Sequence, residues 1–157
     1  MLPAPTLESI IERLTWHPYK EWGPDGVRYV CVLFWNDHGY RVLENTYSAR
    51  DWEKWDITSG DFWDLFLAGC YRYKGPDHYG DTALPLAEGS MPFYWSREQT
   101  NLLAKTFHDN FVDIRTGQQW SFSGPLELVA VGARRYGDEI KFEWPGMRAI
   151  QLSDQPL

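Results

Sequence analysis

Hydrophobic positions change their spacing several times along the chain, and each spacing predicts a different element. Leu7, Ile10, Ile11 and Leu14 stand at i, i+3, i+4 and i+7, which predicts a helix over 6–14 capped by Thr6. The turn-rich stretch 17–26 ends it. Residues 27–35, VRYVCVLFW, are β-branched and aromatic and are apolar on both faces, the mark of an interior strand. NDHG at 36–39 reads as a turn, and YRVLEN at 40–45 as a second strand that pairs back as a hairpin. A buried strand is expected over 62–73, FWDLFLAGCYRY. After Ser123-Gly124-Pro125 the chain reads as strand at 126–134, turn at 136–139, an alternating strand at 140–144 and a last strand at 147–152.

Two further helices are signalled at their starts. Ser48 and Asp51 come close to a capping box, with Trp52 and Trp55 following at helical spacing. Ser96 and Gln99 form a full S-x-x-Q box, and Leu102, Leu103, Phe107 and Phe111 are expected on one helical face. Each of these regions runs into the phrase D-I-x-[S/T]-G-x-x-W, at 56–63 and again at 113–120. The repetition reads as a shared helix-to-strand connector. Gly60 and Gly117 would take the left-handed position that closes a helix, and the Ser or Thr before each would bond nearby backbone. Ile57 and Ile114 would fold onto the helix end, and Trp63 and Trp120 would anchor the outgoing strand.

The sum is an α/β domain, with α+β as the alternative: a mixed sheet of five to seven strands, about three helices and antiparallel C-terminal strands. A three-layer or thioredoxin-like arrangement fits this order. One domain is expected over 1–157, with 1–5 and 153–157 frayed and 74–95 a long loop. That loop, KGPDHYGDTALPLAEGSMPFYW, has no hydrophobic period and ends in Met91, Phe93, Tyr94 and Trp95, residue types that are rich in interface cores. It is a candidate partner-binding surface, to which Asp77 and Asp81 would add charge. The plainer reading has Phe93 and Trp95 stapling the helix that follows.

Composition narrows the function. Nine Trp, nine Tyr and eight Phe make the chain unusually aromatic, and the net charge is −7. An acidic surface repels phosphates and anionic lipids and suits a basic partner. Nucleic acid and membrane are therefore set aside; the densest basic cluster is the pair Arg134-Arg135. Cys31 and Cys70 both lie in apolar stretches, where buried free thiols and a reducing, cytoplasmic setting are expected. No signal peptide or bilayer-length apolar run is read in the sequence.

Candidate chemistry is sparse. Asp37 and His38 follow a buried strand, where α/β ligand sites occur. Cys70 is a candidate nucleophile if a base or cation activates it, with Arg72 and Lys74 near in sequence. Asp77, His78 and Asp81 form D-H-x-x-D, read as solvated loop residues rather than metal ligands. His108 is expected to be exposed. His38, Cys70 and His78 are thus weak catalytic candidates, and no cofactor or metal is implied. Without a C-x-x-C motif, dithiol redox chemistry has no support. The favoured expectation is a non-catalytic protein-binding domain, such as a bacterial immunity protein, antitoxin or defence component that binds a basic protein. The alternatives are a small cytoplasmic enzyme with a dispersed active site and an aromatic-lined small-ligand or carbohydrate module using Trp22, Trp35, Trp52 and Trp95.

Overall fold

A computed structural model describes residues 2–16, 22, 26–46, 63–71, 84–87, 93–114, 116–143 and 147–152. In chain order the elements are β1 (Leu2–Ala4), α1 (Leu7–Trp16), β2 (Val27–Trp35), α2 (Asp37–Thr46), β3 (Trp63–Ala68), β4 (Cys70–Tyr71), β5 (Leu84–Ala87), β6 (Phe93–Trp95), α3 (Arg97–Asn110), β7 (Val112–Asp113), β8 (Gln118–Gln119), β9 (Leu126–Tyr136), β10 (Glu139–Phe142) and β11 (Arg148–Gln151). The main sheet runs β1-β3-β2-β9-β10, and β11 joins β9 beside β10 to make six strands. β1, β3 and β2 are mutually parallel, while β9, β10 and β11 are antiparallel additions. This is the expected mixed α/β sheet with an antiparallel C-terminal part, and helices lie on both of its faces.

Strand periodicity assigns the two faces. Val30, Val32 and Phe34 of β2, Phe66 and Ala68 of β3, and Val129, Val131 and Ala133 of β9 point to the first face. There they pack against Ile10 and Leu14 of α1, Leu103 and Phe107 of α3, and Trp120. Leu33, Trp35 and Leu67 point to the second face and meet Tyr40 and Leu43 of α2 with Cys70 and Trp95. β2 is thus apolar on both sides because helices cover both sides of its C-terminal half.

Several expectations need correction. Residues 40–45 form no hairpin strand; they belong to α2. Asn36 is the cap that turns β2 into this helix: its Oδ1 accepts from the N–H of His38 at 3.0 Å and of Gly39 at 3.1 Å. Gly39 stands inside the first turn because a Cβ there would collide with the Pro125 carbonyl and with Trp35. Residues 2–4, expected to fray, form the edge strand β1 paired with Phe66–Ala68. The strand expected over 62–73 breaks at Gly69, whose φ of +73° is left-handed, and Cys70–Tyr71 passes into a second, three-stranded sheet β4-β6-β5. The supposed loop 74–95 therefore supplies two strands, β5 and β6, and residues 74–83 and 88–92 lie outside the described residues.

The Ser96 cap is present, accepting from the Gln99 N–H. Leu103, Phe107 and Phe111 are buried as expected, but Leu102 is 58% exposed; Thr100 completes the inner stripe of α3 instead. The second copy of the repeated phrase is not a helix closure. α3 ends at Asn110, and Phe111 is already extended. Gly117 is left-handed, but it closes the β7–β8 hairpin, its N–H donating to the Asp113 carbonyl at 2.8 Å. Thr116 does bond the local backbone, accepting from Gln118 N–H. Ile114 is exposed rather than folded back, and Trp120 is buried among Phe34, Phe107 and Phe111. In the first copy, residues 56–62 fall outside the described residues, as do Ser48, Asp51, Trp52 and Trp55.

Candidate functional site

The crevice beyond the carboxyl ends of the parallel strands is the usual ligand position in such sheets. Here it is filled by chain. β2 ends at Trp35, Asn36 N–H donates to the Pro125 carbonyl at 3.1 Å, and the cis Gly124–Pro125 peptide packs over the first turn of α2. The Asn36 side chain takes two of the N–H donors at this helix start, so they are spent on the cap rather than offered to an anion. His38 sits in this exposed turn beside Asp37, whose carboxylate pairs with Arg97 of α3 at 2.8 Å.

Neither cysteine is poised for nucleophilic attack. Cys70 is fully buried, and burial pushes its thiol well above the ordinary range. Burial also pushes the Cys31 thiol up, to about 12, with a smaller contribution from the Asp64 charge. Both are free thiols. A reactive thiolate needs a nearby cation or base that lowers its pKa, and here the environment acts in the opposite direction.

Charged groups inside the first face are tied into structure. Arg28 and Asp64 are both buried, and the guanidinium Nε and Nη2 donate to the same carboxylate oxygen at 2.9 and 2.6 Å. Trp22 lies against that guanidinium, 5.7 Å from ring centre to Cζ. Glu127 is buried at the start of β9. One of its oxygens accepts from Trp120 Nε1 at 2.9 Å, and the other accepts from the N–H and hydroxyl of Ser123. It fastens the 120–123 segment to the sheet.

A cleft of about 290 Å3 opens beside this carboxylate, between the β7–β8 hairpin and β11. Asp113 and Glu127 lie at its base, and Gln118, Gln119, Ser121 and Gln151 supply its polar wall. His108, half-buried rather than exposed, stands behind it with Nδ1 2.7 Å from the Trp120 carbonyl and 3.0 Å from Ser121 Oγ. A carbonyl only accepts, so the proton on this ring sits on Nδ1. That nitrogen then has no lone pair to take the Ser121 proton, and the pair is no activated nucleophile.

Among the described residues, the second face of the sheet is covered only in part. Toward the amino end of β2, Tyr29 is 46% and Trp63 44% exposed, and their rings stack with centroids 4.9 Å apart. They are directly paired across β2 and β3. Partly buried Leu65, Ala130 and Leu128 continue the surface across the sheet to Ile150, which is 51% exposed.

The residues singled out from sequence are scattered. Trp95 is fully buried, with Nε1 donating to Thr100 Oγ1 at 2.8 Å, and Trp35 and Tyr40 flank its ring. Tyr94 is half-buried and stacks on Tyr71, and Phe93 lies in β6. Of the proposed aromatic platform, Trp35 is also buried and Trp22 lies against Arg28. Asp77, His78, Asp81 and Met91 lie outside the described residues. The sequence alone marks neither Tyr29 nor Trp63 as a site, although the alternation of VRY and FWDL places both on one face once the register is known. Among the described residues no three His, Cys, Asp or Glu side chains gather as metal ligands, and no helix is long and apolar enough to cross a membrane. Comparison with known proteins brings no match: no family model fits the chain, and no curated protein or solved structure is significantly similar to it.

Proposed function

We propose that this chain is a non-catalytic protein-binding domain, and that it holds a basic protein partner against the open part of the second sheet face. The stacked, half-exposed Tyr29–Trp63 pair carries this reading. Tyr and Trp are the residue types that concentrate binding energy at interfaces, and their ring faces attract Lys and Arg side chains. The net charge of −7 acts in the same direction, steering a cationic partner toward the domain. An immunity protein or antitoxin that neutralises a basic toxin is its concrete form. The burial of both thiols supports binding over nucleophilic catalysis.

The test is affinity capture of the tagged chain from its native lysate, run beside the double variant Tyr29→Ser, Trp63→Ser. A stoichiometric basic protein on the parent chain that is lost from the variant supports the reading. A partner retained in full by a folded double variant would sink the assignment to this face, and an acidic partner would sink the charge argument.

A further inference from the structure

Tyr29 stands in a row that crosses the sheet on its second face, with Trp63 of β3 opposite it on one side and Gly132 of β9 on the other. The Tyr29 and Trp63 ring centroids are 4.9 Å apart and their planes differ by 26°. That separation matches the spacing of adjacent strands, about 4.8 Å, so the rings stand side by side across the strands. One face of Tyr29 therefore lies on Trp63, and the other is turned toward β9, where Gly132 brings no side chain. Arg135 N–H donates to the Gly26 carbonyl at 3.0 Å, which makes Gly26–Arg135 a bonded pair. Bonded and non-bonded pairs alternate in an antiparallel ladder, so Tyr29–Gly132 is a non-bonded pair with its Cα atoms about 4.5 Å apart. The glycine is thus the floor of a notch beside the tyrosine ring.

The far side of the notch carries a carboxylate. Glu143, one residue past β10, donates its N–H to the Gly132 carbonyl at 2.8 Å and folds its exposed side chain back over the glycine. Its Oε2 lies 3.2 Å from where a Cβ on Gly132 would stand, and its Oε1 accepts from Arg134 Nε at 3.0 Å. A carboxylate offers about four lone-pair sites, so the Arg134 bond leaves acceptors for a second guanidinium. An aromatic face with a carboxylate at its edge suits arginine better than lysine. The flat guanidinium lays its plane on a ring while its edge donates as a fork, whereas an ammonium is a single point of charge. We infer that an arginine of the partner enters this notch, its guanidinium stacked on the second face of the Tyr29 ring and donating to Glu143. The inference rests on the reading of the chain as a binder of a basic protein, and it names the side chain that anchors that partner and the residues that select it.

The experiment titrates the intact chain with the end-blocked peptides Gly-Arg-Gly and Gly-Lys-Gly at millimolar concentration. Binding is read from the NMR signals of the Tyr29 ring and the Trp63 indole. The arginine peptide should shift both signals and the lysine peptide should bind more weakly. Glu143→Gln should weaken the arginine peptide about tenfold, the loss of one hydrogen bond between charged groups. Gly132→Ala should weaken it too, because the added Cβ displaces the Glu143 carboxylate and raises the floor. Arg134→Ala breaks the same ion pair as Glu143→Gln but removes a competing cation, so it should leave binding as tight or tighter. Equal binding of the two peptides, no shift with the arginine peptide, or equal losses in Glu143→Gln and Arg134→Ala would overturn the inference. Capture from lysate keeps the two claims apart. A basic partner lost from Tyr29→Ser, Trp63→Ser but held undiminished by Glu143→Gln overturns the arginine anchor and leaves the proposed function standing. An acidic partner overturns the proposed function, whatever the peptides do.

Discussion

Asp64 and Glu127 show how individual charged residues are used in the interior. Each is a carboxylate on the first face of the sheet, and each holds a neighbour in place through hydrogen bonds. Removing one member of a buried ion pair leaves the other desolvated and uncompensated. Asp64→Ala is therefore expected to lower stability by about 3–5 kcal/mol, measured as a shift of the urea midpoint. Glu127→Gln sets an NH2 group against either Trp120 Nε1 or the Ser123 donors, and about 1–3 kcal/mol should be lost. Unchanged midpoints would show that these side chains are not holding the loop and strands together. The thiols give a second residue-scale expectation. With Cys31 pushed up to about 12 and Cys70 also raised by burial, neither is ionised at pH 8. Iodoacetamide should label neither in the folded chain and both in urea, as read by mass spectrometry; rapid labelling of Cys70 in the native state would contradict its burial.

At the scale of elements, what was legible in the sequence depended on whether the signal was local. α1, β2, the Ser96 cap of α3, and the C-terminal strands have hydrophobic periods or caps written within a dozen residues, and each is found where expected. The local signal points away from α2, because Asn36-Asp37-His38-Gly39 is good turn chemistry and YRVLEN has fair strand propensity. What decides for helix is tertiary: Tyr40 and Leu43 bury against Trp95 and the second face, and Pro125 closes over Gly39. The passage at Gly69 was invisible for the same reason, since nothing in GCYRY shows that α3 presses against it. A Cβ on Gly69 would collide with Thr100 and the Ser96 carbonyl, and the backbone there is left-handed. Gly69→Ala should therefore cost at least about 1–3 kcal/mol, well beyond the roughly 1 kcal/mol expected when Ser96→Ala removes a cap. Thermal melts of the two variants test the order; a milder effect at Gly69 would mean that α3 is free to shift.

At the scale of the molecule, acidity and aromatic abundance were plain in the composition, but the placement of the aromatics was not. Among the described residues most of the rings fill the two layers flanking the sheet, as burial favours, and the clear surface exceptions there are Tyr29, Trp63 and Tyr136. Substituting the first two should leave stability nearly unchanged, because both are half-exposed, while removing the contact surface proposed above. A large drop in melting temperature for Tyr29→Ser, Trp63→Ser would mark the pair as structural. With the partner in hand, the association rate should fall steeply between low and physiological salt, since screening weakens steering by a net charge of −7. A flat salt profile would leave the aromatic contact without its electrostatic component.

The pairing of β2 with β9 also governs how the chain reaches this state. These strands meet over Val27–Trp35 and Leu126–Arg134, about a hundred residues apart in sequence. While a ribosome makes the protein, β1, β2 and β3 emerge long before the strand that seals them. Through that interval β2 presents nine mostly apolar residues with one side of its backbone unpaired. The nascent chain thus carries an adhesive edge for most of its synthesis, and β9 is the seal that removes it. Chains released before residue 126 should aggregate or engage chaperones, whereas released chains that run through Leu152 carry the strand that closes the sheet.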